Sequence, residues 1–238
     1  NAVRELSKHM KLPNMAHLKA MYRVMDYCVM TPKRGLTLKP TGQWDGKDTS
    51  YEFEVRGKSD ADYAKDPNNR KSISGTTTFL NNAPVAMRSG QQKTVTLSTS
   101  EAELMAAVQC AQDMLYVYRI LTSLGLQVKK PMILEVDNKG TVDLANNWSI
   151  GGRTRHIEVR QYFLRDLKEE GLILTKWCPG SEMSSDLFTK NLDTKTFEKH
   201  VRTYCGEDEY YIYPKERNKN LKGRVLEVEI DGRRTDDG

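Results

Sequence analysis

Cysteine is scarce in this sequence, and the few cysteines form no pattern that binds metal or builds a disulfide framework. The 238 residues contain four that lie far apart: Cys28, Cys110, Cys178 and Cys205. Without a CxxC pair, a zinc site and a secreted disulfide scaffold are both disfavoured, and a reduced intracellular setting is expected. Long apolar runs are also missing, so the sequence predicts neither a membrane span nor a signal peptide.

The charge balance is moderately basic. Charged residues make up 29% of the chain and the formal net charge is +5, an excess that permits a nucleic-acid partner without requiring one. The length allows one domain of ordinary size with an attachment, or two small domains. The helical pattern that begins at Asn1 suggests a piece of a longer polypeptide.

The pattern along the chain predicts an α/β fold. Residues 1–31 have the pattern of two helices, and residues 40–50 that of a polar linker. Three strand signals follow in "YEFEV", "SGTTTFL" and "APVAM", with a hairpin turn at Asn81 and Asn82. Next come a long helix, a strand in "MILEVDN", two helices, a strand in "LILTKWC" and a short helix. This order predicts a mixed five-stranded sheet with helices on both faces, preceded by a short helical segment.

Two glutamates stand near the start of the long helix, in "LSTSEAELMAA". Since a helix turns about 100° per residue, Glu101 and Glu103 lie about 200° apart and only one can face the core. Glu101 belongs to the first turn, beside the capping residue Ser98, and fits an N-terminal helix signal. Glu103 falls on the apolar face, where a lone carboxylate is costly unless it is paired, protonated or bound to a metal.

Three aspartates can supply the partner that Glu103 needs, because each lies at the end of a predicted element. Asp60 ends the first strand, Asp137 ends the fourth strand, and Asp186 begins the last helix. Together the four acids would repel one another unless hard cations lay among them, and oxygen ligands suit Mg²⁺ or Mn²⁺. Taken singly, each aspartate has a structural explanation as a solvated strand end, a turn or a helix cap.

Five ordered stretches between residues 57 and 190 carry a family resemblance. They are "SDADYAKD", "STSEAELMAA", "VDNKGTV", "RTRHIEVRQYFLRD" and "SDLFTK". They resemble the ribonuclease H domain of copia-type LTR retrotransposon polyproteins, whose runs look like "SDADWAGD", "SSTEAEYMA", "CDNQSAI", "RTKHIDIRYHFIRE" and "ADILTK". Residues 1–40 resemble the end of the reverse transcriptase thumb, while the paired-aspartate motif of the polymerase is absent.

The resemblance implies a ribonuclease H-like fold in three parts. Residues 1–50 would be a helical remnant of the thumb or connection with a linker, residues 51–192 the ribonuclease H-like domain, and residues 193–238 a charged extension. The implied activity is metal-dependent cleavage of the RNA strand of RNA/DNA hybrids during reverse transcription. The implied partners are the hybrid and the rest of the polyprotein, including its reverse transcriptase, with no membrane. The implied location is the cytoplasm, in virus-like particles.

The resemblance also assigns the metal-binding carboxylates, at Asp60, Glu103, Asp137 and Asp186. Asp60 and Asp137 would hold the ion that activates water, and Asp60, Glu103 and Asp186 the ion at the departing ribose oxygen. The implied cofactor is two Mg²⁺ ions, for which Mn²⁺ can substitute. Asp62 either lies near Asp60 at the site or, in the favoured interpretation, is a loop acid after the strand. The loop "CPGSEMSS" lacks the histidine of many ribonucleases H, which bears on turnover more than on metal binding.

Basic residues leave two interpretations open. They either follow a phosphate backbone, as in a non-specific nuclease, or form a solvated helix face; they are Arg153, Arg155, Arg160 and Arg165. His156 either contacts substrate or is a structural histidine at a helix start.

Two rival functions remain. One is an integrase or transposase core that uses Asp60, Asp137 and either Glu169 or Glu170, which leaves Glu103 and Asp186 unexplained. The other is a non-catalytic remnant that binds nucleic acid.

Overall fold

A computed structural model describes residues 1–42, 44–147 and 155–206, with only the backbone for residues 155–158. The helices are α1 Ala2–Ser7, α2 Met15–Met30, α3 Thr99–Ser123, α4 Lys139–Asn146, α5 Arg155–Glu169, α6 Asp186–Thr189 and α7 Thr194–Cys205. The strands are β1 Glu52–Phe53, β2 Val55–Asp62, β3 Ile73–Leu80, β4 Ala83–Gln91, β5 Gln127–Val128, β6 Met132–Val136 and β7 Ile173–Trp177. A 3₁₀ turn, Gly180–Glu182, precedes α6.

The main sheet has five strands in the order β4-β3-β2-β6-β7. The pairs β2–β3 and β3–β4 are antiparallel, whereas β2–β6 and β6–β7 are parallel. The hairpin turn at Asn81 and Asn82 is confirmed, and both residues have the positive φ that a tight two-residue turn requires. Strand order and register together define the ribonuclease H-like fold that the sequence predicts.

Helices cover both faces of the sheet. Gly57 of β2 lets α3 approach closely, because a Cβ there would lie 2.5 Å from the Met114 Sδ and 2.7 Å from the Cys110 Sγ. The opposite face of β3 meets α7, where the Tyr204 hydroxyl lies 2.9 Å from the Thr77 hydroxyl. The predicted two-faced arrangement is therefore confirmed, and the apolar core lies mainly under α3.

The two predicted N-terminal helices are present as α1 and α2. Asn14 caps α2 by accepting hydrogen bonds from the Ala16 and His17 backbone N–H groups. All of α1 and α2 belongs to one compact unit that extends from Asn1 to Glu207. The boundaries predicted after residues 50 and 192 stay predictions, and the rest of the predicted extension, beyond residue 206, lies outside the described residues. In the part of the chain described here, no helix is long and apolar enough to cross a membrane.

The predicted position of the first strand is wrong. The segment "YEFEV" forms only the short β1 and the start of β2, and the long central strand is Val55–Asp62. Asp60 therefore lies within β2 and does not end it. The reason is that "VRGKSDAD" carries polar side chains on a strand buried by neighbours on both sides, so its hydrophobic alternation stops early.

Both glutamates at the start of α3 are buried, and the burial of Glu101 does not follow from its place on the helix. Glu101 is 3% exposed and Glu103 is 6% exposed. The Glu101 carboxylate turns back and accepts a hydrogen bond from the Leu97 backbone N–H, while the Ser98 hydroxyl accepts one from the Glu101 N–H. Glu101 is thus an N-terminal helix residue, as predicted, but the loop before α3 covers it.

Candidate metal centre

Three aspartates meet at the carboxyl end of β2 and β6. Ser59 and Val136 form the last parallel pair of these strands, so Asp60 and Asp137 are the next residues on neighbouring strands. Asp186 is the first residue of α6. One carboxylate oxygen from each of the three lies within 4.8 Å of the others.

Close approach of α6 to the sheet brings Asp186 into this group. Asp60 pairs across the sheet with Gly75 of β3, and α6 packs directly on that glycine. A Cβ on Gly75 would lie 2.7 Å from the Thr189 Cγ2 and 2.8 Å from the Ser185 carbonyl oxygen. A larger residue at this position would push α6, and with it Asp186, away from Asp60.

Glu103 lies beside the three aspartates, on the second turn of α3. Burial, followed by the charges of Asp60 and Asp137, raises the pKa of Glu103 to about 9. Burial also raises the pKa of Asp186 to about 7 and that of Asp137 above its usual range, with the Asp60 charge as the next cause for both. The Asp60 charge thus makes it harder for the other three carboxylates to ionise, as expected of acids that lie close together.

A lysine and a threonine from the end of α6 contact the acids. The Lys190 ammonium lies 3.4 Å from the Asp60 Oδ1 and 3.2 Å from the Asp186 Oδ1, and the Thr189 hydroxyl donates to the Asp60 Oδ2. Burial lowers the pKa of Lys190, but the Asp60 and Asp186 charges outweigh burial and raise the pKa above its ordinary value. Lys190 is therefore a fixed cation within the cluster.

The carboxylates fit a hard divalent cation. The buried Oε2 of Glu103 accepts no hydrogen bond, although buried polar atoms usually have a partner, and the Oδ1 atoms of Asp60 and Asp186 lie beside the Lys190 ammonium. Oxygen-only ligands of this number suit Mg²⁺ or Mn²⁺. The Lys190 ammonium lies between Asp60 and Asp186, which shows that these two carboxylates favour a positive charge between them.

Replacing Lys190 by methionine is expected to tighten Mg²⁺ binding about tenfold, equivalent to about 1.4 kcal/mol. The reason is that an incoming ion no longer has to displace or repel the ammonium between Asp60 and Asp186. Isothermal titration without nucleic acid measures the change. Lys65→Met is the matched control, since the Lys65 ammonium pairs with Asp62 at 2.9 Å outside the cluster. Weaker binding by Lys190→Met would instead assign Lys190 the role of orienting the ligands.

Comparisons with known proteins find similarity to retrotransposon polyproteins. The chain is 29% identical over 197 residues to the retrovirus-related Pol polyprotein from transposon RE1 of Arabidopsis thaliana, a match that covers 83% of the chain and 13% of that polyprotein. It is 33% identical over 144 residues to the Pol polyprotein from transposon TNT 1-94 of Nicotiana tabacum, covering 60% of the chain and 11% of that protein. The chain is thus similar to a segment of retrotransposon Pol polyproteins from plants. It spans about an eighth of the length of RE1.

Further similarities are weaker or of a different kind. The secreted RxLR effector protein 161 of Plasmopara viticola is 34% identical over 116 residues, which cover 49% of the chain and 75% of that protein. Among solved structures, an LC11 ribonuclease H1 isolated from compost has a TM-score of 0.44 at 12% identity, covering 62% of the chain and 98% of that protein. A TM-score below 0.5 does not establish a shared fold. The fold of this chain is assigned from its strand order and register. No protein-family model matches the chain.

The basic residues predicted to contact nucleic acid are only partly described. Arg153 lies outside the described residues, and for Arg155 and His156 only the helical backbone of α5 is described. Arg160 is half-buried on α5. Arg165 is 4% exposed and donates to the Leu144 carbonyl oxygen, so it joins α5 to α4 and does not form part of a solvated phosphate-binding face.

Sequence analysis missed Lys190, Thr189 and Trp177. Lys190 follows Asp186 by four residues, a spacing that places two side chains on one face of a helix, and this signal was available in "SDLFTK". Thr189 carried no signal of its own. The Trp177 indole N–H donates to the Asp137 carbonyl oxygen at 3.0 Å, a contact that depends on the alignment of β6 with β7. Asp62, interpreted as a loop acid, ends β2 and pairs with Lys65.

Proposed function

We propose that this chain is a divalent-metal-dependent endonuclease of a retrotransposon. It would cut the RNA strand of RNA/DNA hybrids during reverse transcription. The observation that carries the proposal is the meeting of Asp60, Asp137 and Asp186 within 4.8 Å, with Glu103 buried beside them. Buried carboxylates that lie this close together repel one another and destabilise the folded protein. A role in stability therefore does not explain why three separate parts of the chain bring aspartates together here. Its arrangement is that expected of a site for phosphodiester cleavage.

The chain's own groups have distinct tasks in this proposal. Asp60, Glu103, Asp137 and Asp186 would hold two Mg²⁺ ions, or Mn²⁺ in their place. When bound, the ions supply positive charge that lowers the pKa of a water nucleophile and stabilises the departing oxygen. Asp60 is central because it adjoins Asp137 on the sheet and faces Asp186 on α6. Glu103, whose pKa is about 9, holds a proton at neutral pH and must release it for its oxygens to serve as ligands.

Selection of the hybrid would depend on duplex shape and on the ribose 2′-OH, with little dependence on base sequence. The proposed contacts to the sugar-phosphate backbone are Arg153, Arg155, His156 and Arg160. The proposed partner in the same polyprotein is the reverse transcriptase that makes the hybrid. The proposed place of action is the virus-like particle in the cytoplasm.

The integrase or transposase alternative is disfavoured by the register of β6 and β7. Met132 pairs with Ile173 at the amino end of these parallel strands, and the exposed Glu169 and Glu170 precede that end. Asp137 follows the carboxyl end, about 15 Å away along the strands. Neither glutamate therefore joins the aspartates.

Cleavage of end-labelled duplexes by the full chain tests the proposal. An RNA/DNA hybrid, a DNA duplex and an RNA duplex are each incubated with Mg²⁺, with Mn²⁺ or with EDTA. The expected result is metal-dependent cutting confined to the RNA strand of the hybrid. Cutting or joining of DNA strands would favour the integrase alternative. Binding that persists in EDTA, without cleavage in either metal, would favour the non-catalytic remnant.

A further inference from the structure

The helix that carries Asp186 is too short to hold its own position. With four residues, Asp186–Thr189, α6 is a single turn, and isolated helices of this length are not stable in water. It nevertheless carries Asp186 and Thr189 and is followed by Lys190, the three residues that surround Asp60. The geometry of the acid cluster therefore depends on what α6 is attached to.

One attachment comes from the central part of the chain. The Ser185 hydroxyl, just before α6, donates to the Lys58 carbonyl oxygen of β2 at 3.0 Å. Together with the close packing of α6 on Gly75, this contact fixes the start of the helix. At the other end of α6, the Ser89 hydroxyl of β4 donates at 2.5 Å to the Phe188 carbonyl oxygen, one of the helix carbonyls that has no partner within the helix.

Two further attachments come from outside the predicted domain of residues 51–192. Arg4 of α1 donates through its Nη1 to the Phe188 carbonyl oxygen at 2.7 Å and to the Ser89 hydroxyl at 2.7 Å, and its side chain is only 12% exposed. On α7, the Tyr204 hydroxyl donates to the Ser184 hydroxyl at 3.0 Å. The Tyr204 ring packs edge-on against Phe188, with centroids 5.3 Å apart.

We propose that Arg4 and Tyr204 are positioning residues that set the distance of Asp186 from Asp60, and hence the metal affinity of the cluster. The nuclease unit then includes α1 and α7, so the part of the chain that resembles a reverse transcriptase thumb contacts the metal-binding helix directly. The inference about metal affinity rests on the proposed function, whereas the inference that Arg4 holds α6 stands on the contacts alone.

Arg4 has the clearest test, because its guanidinium bridges α1, β4 and α6. Arg4→Ala removes the bridge, and Arg4→Lys keeps the charge but cannot reproduce all the contacts of the planar guanidinium. Arg88→Ala is the matched control. Arg88 precedes Ser89 on β4 and pairs with Asp113 of α3 through two bonds of 2.7 Å, on the face of the sheet opposite α6.

The experiment uses the full chain and two readouts. Hydrogen exchange, measured without metal or nucleic acid, compares the segment 184–191 with the remainder of the chain. Isothermal titration then measures Mg²⁺ affinity. For Arg4→Ala we expect faster exchange confined to this segment and about tenfold weaker Mg²⁺ binding, the usual scale for groups that orient metal ligands. We expect Arg4→Lys to recover part of both and Arg88→Ala to change neither.

Unchanged exchange of the segment 184–191 in Arg4→Ala would overturn the positioning role. Faster exchange throughout the chain, matched by Arg88→Ala, would overturn it as well, because the effect would then be general destabilisation. If hydrogen exchange in Arg4→Ala became faster only in the segment 184–191 while the Mg²⁺ affinity stayed unchanged, the link to metal binding would be refuted. If the wild type bound no divalent cation while Arg4→Ala still loosened α6, the proposed function would fail and the attachment of α6 by Arg4 would stand.

Discussion

Asp60→Asn is expected to lower the rate of RNA-strand cleavage at least ~10³-fold, or about 4 kcal/mol in barrier height. Asp60 is the carboxylate that adjoins Asp137 on the sheet and faces Asp186 on α6. One carboxylate oxygen from each of the three residues lies within 4.8 Å of the other two. Asparagine keeps the shape of the side chain but removes the charge that a divalent cation requires. Asp60 neighbours both Asp137 and Asp186, so a metal ion held by either of them would lose Asp60 as a ligand.

Asp62→Asn is the matched control for this substitution. Asp62 lies two residues further along β2, and its carboxylate pairs with Lys65 at 2.9 Å outside the cluster. The same change of charge there is expected to alter the cleavage rate by no more than about twofold, as is usual for a surface ion pair. Initial rates on an end-labelled hybrid in Mg²⁺ give both values, with circular dichroism to establish folding. Equal losses in both variants would mean that net charge, and not the cluster, controls cleavage.

Glu103→Gln is expected to stabilise the metal-free protein at alkaline pH and to weaken its stabilisation by Mg²⁺. Burial and the neighbouring aspartates raise the pKa of Glu103 from an ordinary value of 4.5 to about 9. Since the folded state binds this proton more tightly than the unfolded state, the contribution is fully present below about pH 4.5 and is lost as pH rises to about 9. Asp186, with its pKa raised to about 7, adds to the loss from about pH 4 to pH 7.

Thermal unfolding between about pH 5 and pH 9, in EDTA and in excess Mg²⁺, measures both effects. In EDTA the wild-type melting temperature should fall as pH rises, and Glu103→Gln should fall less, ending about 3 °C or more above the wild type. A shift of this size corresponds to about 1 kcal/mol in a domain of this length. In Mg²⁺ the order should reverse, because bound cations stabilise ionised carboxylates. If Glu103→Gln melted below the wild type in EDTA near pH 9, ionisation of Glu103 would not destabilise the folded protein, and the prediction would be wrong.

The sequence was a reliable guide where the information was local. The Asn81-Asn82 turn, the strand before Asp137 and the cap before Glu101 follow from neighbouring residues, and all three are present. The position of the first strand was wrong because β2 is buried on both faces and carries polar side chains, so hydrophobic periodicity gave no signal. The solvated interpretation of Arg165 was wrong because a long side chain can bury its stem and donate to a neighbouring helix.

Within the candidate site, the sequence could identify the acids but not their surroundings. Glu103 was selected by its place on the apolar face of a helix, and the three aspartates by their positions at element ends. The burial of Glu101 depends on the loop that covers it. The short distance between Asp60 and Asp186 depends on Gly75, which lies opposite Asp60 on β3 and leaves room for α6.

The sequence by itself determined the order of the elements, the five stretches of family resemblance and the four acids, because periodicity, caps and turns act within a few residues. Only the tertiary structure decided that Lys190 lies between two of the acids and that Arg4 and Tyr204 hold the helix that carries Asp186. Apart from the pair formed by Lys190 and Asp186, these contacts join residues that are distant in the chain. Their distances are set by strand register and helix packing, which no local pattern encodes.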